Sequence, residues 1–188
     1  MTAIIGFTGR ARSGKDTAAS FVCDMFGFEP VSFAEPIKQA VTAMFGLDER
    51  HLDGELKETP LEGLGRSPRY LFQTLGTEWG RELVHPDVWI YAMNTWVKRL
   101  EREYLRQGLR LQGVVVSDVR FENEAAWVRD RGGLLIHLER QKTVDVLWHV
   151  SEAGIQRHDG DIVIRNDGTP DELYQKLEDV VMAFLEES

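Results

Sequence analysis

The sequence predicts an α/β fold of three layers, in which a central parallel sheet is flanked by helices. Short apolar runs alternate with longer segments of helical periodicity along the 188 residues, and this alternation is typical of a parallel sheet covered on both faces. The hydrophobic fraction of 43% is large enough for a core, and the length suits a single domain.

The apolar runs predict five strands. The first, "AIIGFT", covers residues 3–8 and stops before a glycine, as expected of a buried parallel strand. "LQGVVVSD", at residues 111–118, is the strongest strand signal in the chain. The other candidates are residues 30–33, residues 134–139 and the beginning of residues 161–169, where a turn follows the strand.

Apolar residues at helical spacing predict helices between these strands. The first helix begins near Lys15 and is ended by Gly27, and Pro36 suits the first turn of the second helix. The polar residues 48–67 are predicted to form a loop. The predicted helices cover residues 15–26, 36–45, 68–83, 87–106, 122–133 and 170–185.

Charge and cysteine content exclude several classes of protein. Lys and Arg number 22 against 31 Asp and Glu, so the net charge is −9. A surface this acidic is poorly suited to a nucleic-acid backbone, although a local basic pocket can still bind a small anion. The single cysteine, Cys23, allows no internal disulfide and is predicted to be buried. No apolar run approaches membrane-spanning length, so we expect no membrane span. Together with the charge and the single cysteine, this predicts a cytoplasmic protein that binds neither nucleic acid nor membrane.

The segment "GRARSGKDT" after the first strand has the spacing G-x-x-x-x-G-K. A glycine-rich turn between a strand and a helix presents backbone N–H groups and the helix N-terminus to one point, which makes an anion site. Lys15 adds a positive charge for β- and γ-phosphates. The alternative is an ordinary glycine-rich turn, but the position between strand and helix favours a phosphate loop. Its candidate residues are Gly9, Arg12, Ser13, Gly14, Lys15, Asp16 and Thr17.

The loop departs from the usual pattern at its end, where Asp16 replaces the expected Ser or Thr and Thr17 follows one position later. The ending "GKxT" is typical of many small-molecule and nucleotide kinases. Thr17 can support Mg²⁺ directly or through water. Asp16 is either a second group facing the metal or an acid favoured by the helix dipole, and the sequence leaves both interpretations open.

Asp118 stands at the carboxyl end of the strongest strand. Ligands of open parallel sheets bind at these ends, so the carboxylate is well placed to organise Mg²⁺, as in a Walker B strand. Arg120, two residues later, is a candidate to stabilise charge on a transferred phosphoryl group. The alternative for Asp118 is a helix N-cap.

A second anion site is predicted for the acceptor. "SFAEPIK" follows the second strand, so Phe33 is a candidate to stack on a base and Lys38 to meet a phosphate, with a core ring and a solvated lysine as the alternatives. Arginines suit phosphate recognition, although arginines on helix surfaces are common. The remaining acceptor candidates are Arg66, Arg69, Gln73 and Arg81.

Five stretches resemble the deoxynucleoside monophosphate kinases of tailed bacteriophages. They span nearly the whole chain in order: "GRARSGKDTAA", "SFAEPIK", "LFQTLGTEWGRE", "SDVRFENEA" and "NDGT". The second and fourth are the specific ones, because many folds share the phosphate loop. The resemblance implies a P-loop nucleoside-kinase-like fold, often dimeric, with Mg²⁺ and ATP as phosphoryl donor and a deoxynucleoside monophosphate as acceptor.

The resemblance also implies an organisation and further site residues. Residues 1–188 would form one kinase domain, with a helical acceptor-binding insertion near 48–106 and a lid-like segment near 140–158. Arg140 would belong to the lid. Asn166, Gly168 and Thr169 would pass the adenine of ATP, with a simple Asn-Asp-Gly turn as the alternative.

These features together predict phosphorylation of deoxynucleoside monophosphates to diphosphates, in which Lys15, Arg120, Asp118 and Asp16 act in catalysis. Thr17, Asp16 and Asp118 are the candidate metal ligands. Two other functions stay open: a kinase of another small metabolite such as dephospho-coenzyme A, and a nucleotide-binding regulatory protein. The identity of the accepted bases and the role of residues 148–152 are not predicted.

Overall fold

A computed structural model of the chain describes residues 2–140 and 154–187. The chain divides into two compact units: Met1–Ser32 with Trp96–Ser188, and Phe33–Thr95. The first unit carries a parallel sheet, and the second is helical. No helix within the described residues is both long and apolar enough to cross a bilayer.

The sheet of the first unit has five strands within the described residues, in the order β2-β3-β1-β4-β5, and all neighbours are parallel. β1 (Ala3–Thr8) is central and pairs with β3 (Gly113–Val116) on one side and β4 (Leu134–Glu139) on the other. β2 (Glu29–Val31) and β5 (Ile162–Arg165) are the outer strands. Because all strands run in one direction, their carboxyl ends lie at one edge.

Helices cover both faces of this sheet. α1 (Lys15–Phe26) and α7 (Pro170–Glu187) pack on the face to which Ile5 points. Gly6 points to the opposite face, since successive strand residues alternate, and there a Cβ at Gly6 would lie 3.0 Å from Val128 of α6 (Glu122–Arg129). The predicted three-layer α/β fold is therefore confirmed. The core includes Ile5, Phe7, Ala18, Val22, Val115, Ile136, Leu138, Ile164, Leu173, Leu177 and Val181.

The second unit contains α2 (Glu35–Phe45), α3 (Glu49–Leu52), α4 (Pro68–Thr74) and a π-helical segment (Leu75–Val84). α5 (Val88–Arg106) begins in this unit and continues into the first.

Two features of the helical unit differ from the sequence prediction. α3 lies within the predicted loop and is started by the Asp48 carboxylate, which accepts from Arg50 N at 3.1 Å, a local N-cap. The predicted helix at 68–83 continues into the wider π form. There the indole of Trp89 donates to Gly76 O at 2.7 Å, and a Cβ at Gly80 would lie 2.6 Å from the same indole ring.

Cys23 also departs from the prediction, because it is half-buried rather than buried. Its burial and the nearby Asp24 and Glu29 raise the thiol pKa to about 11. The thiol is therefore protonated at neutral pH and is a poor nucleophile.

Candidate functional site

The segment between β1 and α1 has the backbone geometry of an anion cradle. Gly9 and Gly14 have φ of 141° and 101°, and Arg12 has φ of 63°, a positive value that is uncommon outside glycine. A Cβ at Gly9 would overlap the carbonyl oxygen of Leu138, so this position has no room for a side chain. The loop ends at the N-terminus of α1, where backbone N–H groups lack helical partners.

Lys15 bends back across this loop. Its ammonium donates to Gly9 O and to Arg10 O, both at 2.8 Å. The positive charge therefore lies against the loop carbonyls, and the predicted contact of Lys15 with phosphates stays a prediction.

Ser13 lies at the base of the loop. Its side chain is fully buried, and its Oγ has no hydrogen-bond partner within residues 2–140 and 154–187. A buried hydroxyl without a partner is unfavourable unless a ligand or water satisfies it. The observation fits a phosphate oxygen at this loop.

Asn166, which follows β5, contacts the loop at the carbonyl of Ser13. Its Nδ2 donates to Ser13 O at 2.8 Å, and its backbone N–H donates to Glu139 O at 2.8 Å. The residue is 8% exposed. The amide side chain thus contacts the phosphate loop, a role that the predicted adenine contact did not include.

The rest of the "NDGT" turn leads into α7. Thr169 Oγ1 accepts from Glu172 N at 3.3 Å, and its carbonyl accepts from Leu173 N at 3.2 Å. Thr169 therefore caps the helix. Gly168 and Thr169 are exposed, and their predicted contact with adenine stays a prediction.

Asp118 lies beyond the carboxyl end of β3 and is joined to Ser32, which follows β2. Ser32 Oγ donates to Asp118 Oδ2 at 2.7 Å, and the two strands are in register at Val31 and Val116. Asp16 and Thr17, in the first turn of α1, are exposed. All four side chains therefore belong to the carboxyl edge of the sheet or to the helix that begins there.

The loop after Asp118 is organised by Glu124, a residue that the sequence reasoning missed. This carboxylate is 2% exposed and accepts from Arg120 N at 2.7 Å and from Phe121 N at 3.1 Å. The N-cap of α6 is Phe121, so Asp118 does not occupy the capping position that the sequence left open. Arg120 is exposed. An acid three residues into a helix is the local signal of such a cap.

A buried ionic cluster forms a second feature that the sequence reasoning missed. Asp161 accepts from Arg129 Nη2 at 2.7 Å, and His137 Nε2 lies 3.0 Å from the same oxygen. His158 N also donates to it at 2.9 Å. Burial alone would raise the pKa of Asp161, but these hydrogen bonds outweigh burial and hold the pKa well below its usual range.

The acceptor candidates lie in the helical unit and make contacts of their own. Lys38 Nζ lies 2.6 Å from Asp53 Oδ2, and Arg69 Nη1 lies 2.7 Å from Glu58 Oε1. Both ion pairs are partly exposed, and exposed ion pairs are weak. A phosphate can therefore replace the carboxylate partner of either cation.

The other acceptor candidates differ in exposure and contact. The guanidinium of Arg66 covers the ring of Tyr70 at 4.6 Å, and Arg81 Nη1 lies 3.5 Å from Pro86 O. Phe33 is 3% exposed, which fits the core alternative better than a base-stacking ring, and Gln73 is half-buried.

The proposed lid falls mainly outside the described residues. Arg140, directly after β4, is exposed. Residues 141–153, including the unassigned 148–152, are outside the part of the chain that the structure describes.

The chemistry of the donors suits Mg²⁺ rather than a metal held by protein alone. Asp118, Asp16, Thr17 and Ser32 supply carboxylate and hydroxyl oxygens, which Mg²⁺ prefers. Within residues 2–140 and 154–187, no group of three or more His, Cys, Asp or Glu could hold a metal ion. A metal that takes one or two protein ligands and completes its shell with substrate phosphates and water fits this arrangement.

Comparisons with known proteins bear on the family and the fold of the chain. A family model described as deoxynucleotide monophosphate kinase matches residues 3–69 and 65–177. A protein of Acanthamoeba polyphaga mimivirus, provisionally named deoxynucleotide monophosphate kinase, is 34% identical over 185 residues, which are 93% of each chain.

Two further proteins extend these comparisons. The deoxynucleotide monophosphate kinase of Enterobacteria phage T4 is 27% identical, covering 95% of this chain and 98% of its own. Among solved structures, the dephospho-CoA kinase of Campylobacter jejuni has a TM-score of 0.52 at 15% identity, covering 97% of this chain and 96% of that chain. This last likeness concerns the fold alone and supports a P-loop kinase fold.

Proposed function

The chain belongs to the deoxynucleotide monophosphate kinase family, and we propose on that premise that it transfers the γ-phosphoryl group of ATP to a deoxynucleoside monophosphate. The bond between the γ-phosphorus and the β,γ-bridging oxygen breaks, and a bond forms to a phosphate oxygen of the acceptor. The products are ADP and the deoxynucleoside diphosphate, which serves DNA synthesis. The phosphate loop at the carboxyl edge of the sheet carries this proposal.

The donor phosphates are bound by the loop. Backbone N–H groups between Gly9 and Lys15 and the N-terminus of α1 meet the phosphate oxygens, and the buried Ser13 hydroxyl gains a partner. Lys15 exchanges the carbonyls of Gly9 and Arg10 for the β- and γ-phosphates. Because the ammonium already lies against the loop, little reorganisation is needed.

The carboxylate of Asp118 and the hydroxyl of Thr17 are the proposed protein ligands of Mg²⁺, with Asp16 as a further candidate. The bound ion would neutralise charge on the phosphates during transfer. Ser32 orients the Asp118 carboxylate through its hydrogen bond. Arg120 supplies positive charge to the transferred group, and Glu124 fixes the backbone from which Arg120 projects.

The acceptor monophosphate is assigned to the basic side chains of the helical unit, chiefly Arg69, Arg66, Arg81 and Lys38. Their present partners are carboxylates, a carbonyl and an aromatic ring. Phosphoryl transfer needs no nucleophilic side chain, because the acceptor phosphate attacks directly once positioned.

A panel of acceptors tests this function. Purified protein with ATP and Mg²⁺ is assayed for ADP formation against the common deoxynucleoside and ribonucleoside monophosphates, with dephospho-coenzyme A and no acceptor as comparisons. We expect ADP and a deoxynucleoside diphosphate to form in equal amounts. Turnover of dephospho-coenzyme A alone would assign the chain to another metabolite, and ADP formation without any acceptor would indicate an ATPase.

A further inference from the structure

We propose that Asn166 is a positioning residue that holds the phosphate loop in its binding conformation, rather than a contact to the base of ATP. The inference rests on the proposed phosphate site and assigns a residue to it that no loop motif contains. Asn166 follows β5, and Ser13 lies 153 positions earlier in the chain.

The hydrogen bond from Asn166 Nδ2 to Ser13 O determines the orientation of one peptide group. The Ser13–Gly14 peptide is trans, so its C=O and N–H point in opposite directions. Since the carbonyl of Ser13 points at Asn166, the N–H of Gly14 points away from Asn166. It is thereby held available for a phosphate oxygen.

Burial makes this contact strong and specific. Asn166 is 8% exposed, and Ser13 is fully buried. A hydrogen bond from an amide to a carbonyl is stronger when it is shielded from water than when it lies at the surface. Asn166 is itself anchored, because its N–H donates to Glu139 O at 2.8 Å, and so the sheet fixes the position of the amide.

The glycine at position 14 is explained by the same contact. Gly14 has φ of 101°, and a Cβ there would overlap Asn166 Nδ2. A side chain would therefore be strained and would displace the amide. The close packing of the loop against the turn after β5 therefore requires a glycine at position 14.

The test separates phosphate recognition from base recognition. Binding of ATP, inorganic tripolyphosphate and adenosine to Asn166→Ala is measured by calorimetry, with NMR titration for the weak ligand adenosine. We expect the dissociation constants of ATP and tripolyphosphate to rise about tenfold, the value of one lost hydrogen bond, and that of adenosine to stay unchanged. Adenosine weakened as much as tripolyphosphate would overturn the proposal in favour of a base contact, and unchanged binding of all three would overturn it as well.

Lys176→Ala is the matched control. Lys176 Nζ donates to Arg165 O at 3.0 Å, so the variant removes a side-chain bond to the backbone one residue away from Asn166. The control side chain is exposed. We expect wild-type affinity for all three ligands, and a tenfold loss of tripolyphosphate affinity in the control would contradict a specific role of Asn166.

A second variant keeps the proposal testable if Asn166→Ala does not fold. Asn166→Asp keeps the size of the side chain, but an ionised carboxylate cannot donate to Ser13 O, whereas a protonated one can. An aspartate carboxyl has a pKa of about 3.9, and burial raises it. The affinity for tripolyphosphate, as a ratio to wild type, should therefore be lowest at pH 8 and rise toward pH 4. A ratio independent of pH would contradict donation to Ser13 O. Because these are binding measurements, they stand even if the acceptor panel assigns the enzyme to another substrate.

Discussion

Ser32 Oγ donates a 2.7 Å hydrogen bond to Asp118 Oδ2, and this bond joins side chains that follow the carboxyl ends of two neighbouring strands. The bond orients a carboxylate at the edge of the sheet where ligands of open parallel sheets bind.

Asp118→Asn should reduce Mg²⁺-dependent turnover much more than binding of the acceptor. The amide keeps the size of the side chain but loses the charge that favours the metal. Steady-state rates across a range of Mg²⁺ concentrations measure the effect, and Asp130→Asn, at an exposed acid, is the control. Unchanged turnover with unchanged Mg²⁺ dependence would remove Asp118 from the site.

Lys15→Ala should nearly abolish transfer while the fold stays intact. The loss of one preorganised charge costs roughly 3 kcal/mol in the transition state, which is more than a hundredfold in kcat. Steady-state kinetics measure the loss of transfer, and a thermal unfolding curve checks that the fold is intact. Lys98→Ala, at an exposed position of α5, should keep wild-type kinetics, and substantial activity in the Lys15 variant would contradict the phosphate-loop assignment.

Arg69→Ala and Arg120→Ala should each raise the acceptor KM or lower kcat by more than about tenfold, because a charge-assisted contact contributes roughly 1.5–3 kcal/mol. The affinity for ATP should change little. Kinetics with ATP and acceptor varied separately measure the difference, with Arg99→Ala, an exposed arginine, as the control. Normal acceptor kinetics in both variants would exclude these arginines from acceptor binding.

Asp161→Asn should destabilise the protein at neutral pH by roughly 3 kcal/mol, because it breaks a buried ion pair with Arg129. The pKa of Asp161 is lower in the folded protein than in the unfolded chain, where it is about 3.9. The ionised side chain therefore contributes its full stabilisation above that pH, and this stabilisation is lost as the pH falls below it. Urea denaturation at pH 7 and between pH 5 and 3 measures the free energy of unfolding. The difference between variant and wild type should become smaller as the pH is lowered. Asp159→Asn is the exposed control, and a difference independent of pH would contradict an ionised Asp161.

Gly80→Ala should destabilise the helical unit more than Gly76→Ala. A Cβ at position 80 would lie 2.6 Å and 2.9 Å from atoms of the rigid Trp89 indole, whereas at position 76 the nearest atom is the flexible end of Ile37 at 3.1 Å. Overpacking of this kind costs about 1–3 kcal/mol. Chemical denaturation of the two variants compares them, and equal stability would show that the indole can move aside.

The strands and most helices could be predicted because their signals are local. "GVVV" is apolar at every position, and all four residues are buried in β3. The π-helical segment could not be predicted, since its apolar spacing resembles that of an α-helix and the contact of Trp89 with Gly76 lies outside the segment's own pattern.

In the candidate site, too, local features could be predicted and contacts between distant residues could not. The phosphate loop has a continuous motif, but the bond between Ser32 and Asp118 joins residues 86 positions apart, and that between Asn166 and Ser13 joins residues 153 apart. Such pairs depend on strand order, which short sequence patterns do not determine. A short sequence pattern therefore identifies the candidate phosphate loop, but not the distant residues that contact it.

The central position of β1 has a consequence for how the chain is made. β1 leaves the ribosome before the two strands that it pairs with, which begin at Gly113 and Leu134. At 5–20 residues per second, Ala3 waits about 5 to 20 s for Gly113. During that time the apolar strand lacks both of its sheet partners, and exposed apolar segments of this kind promote aggregation.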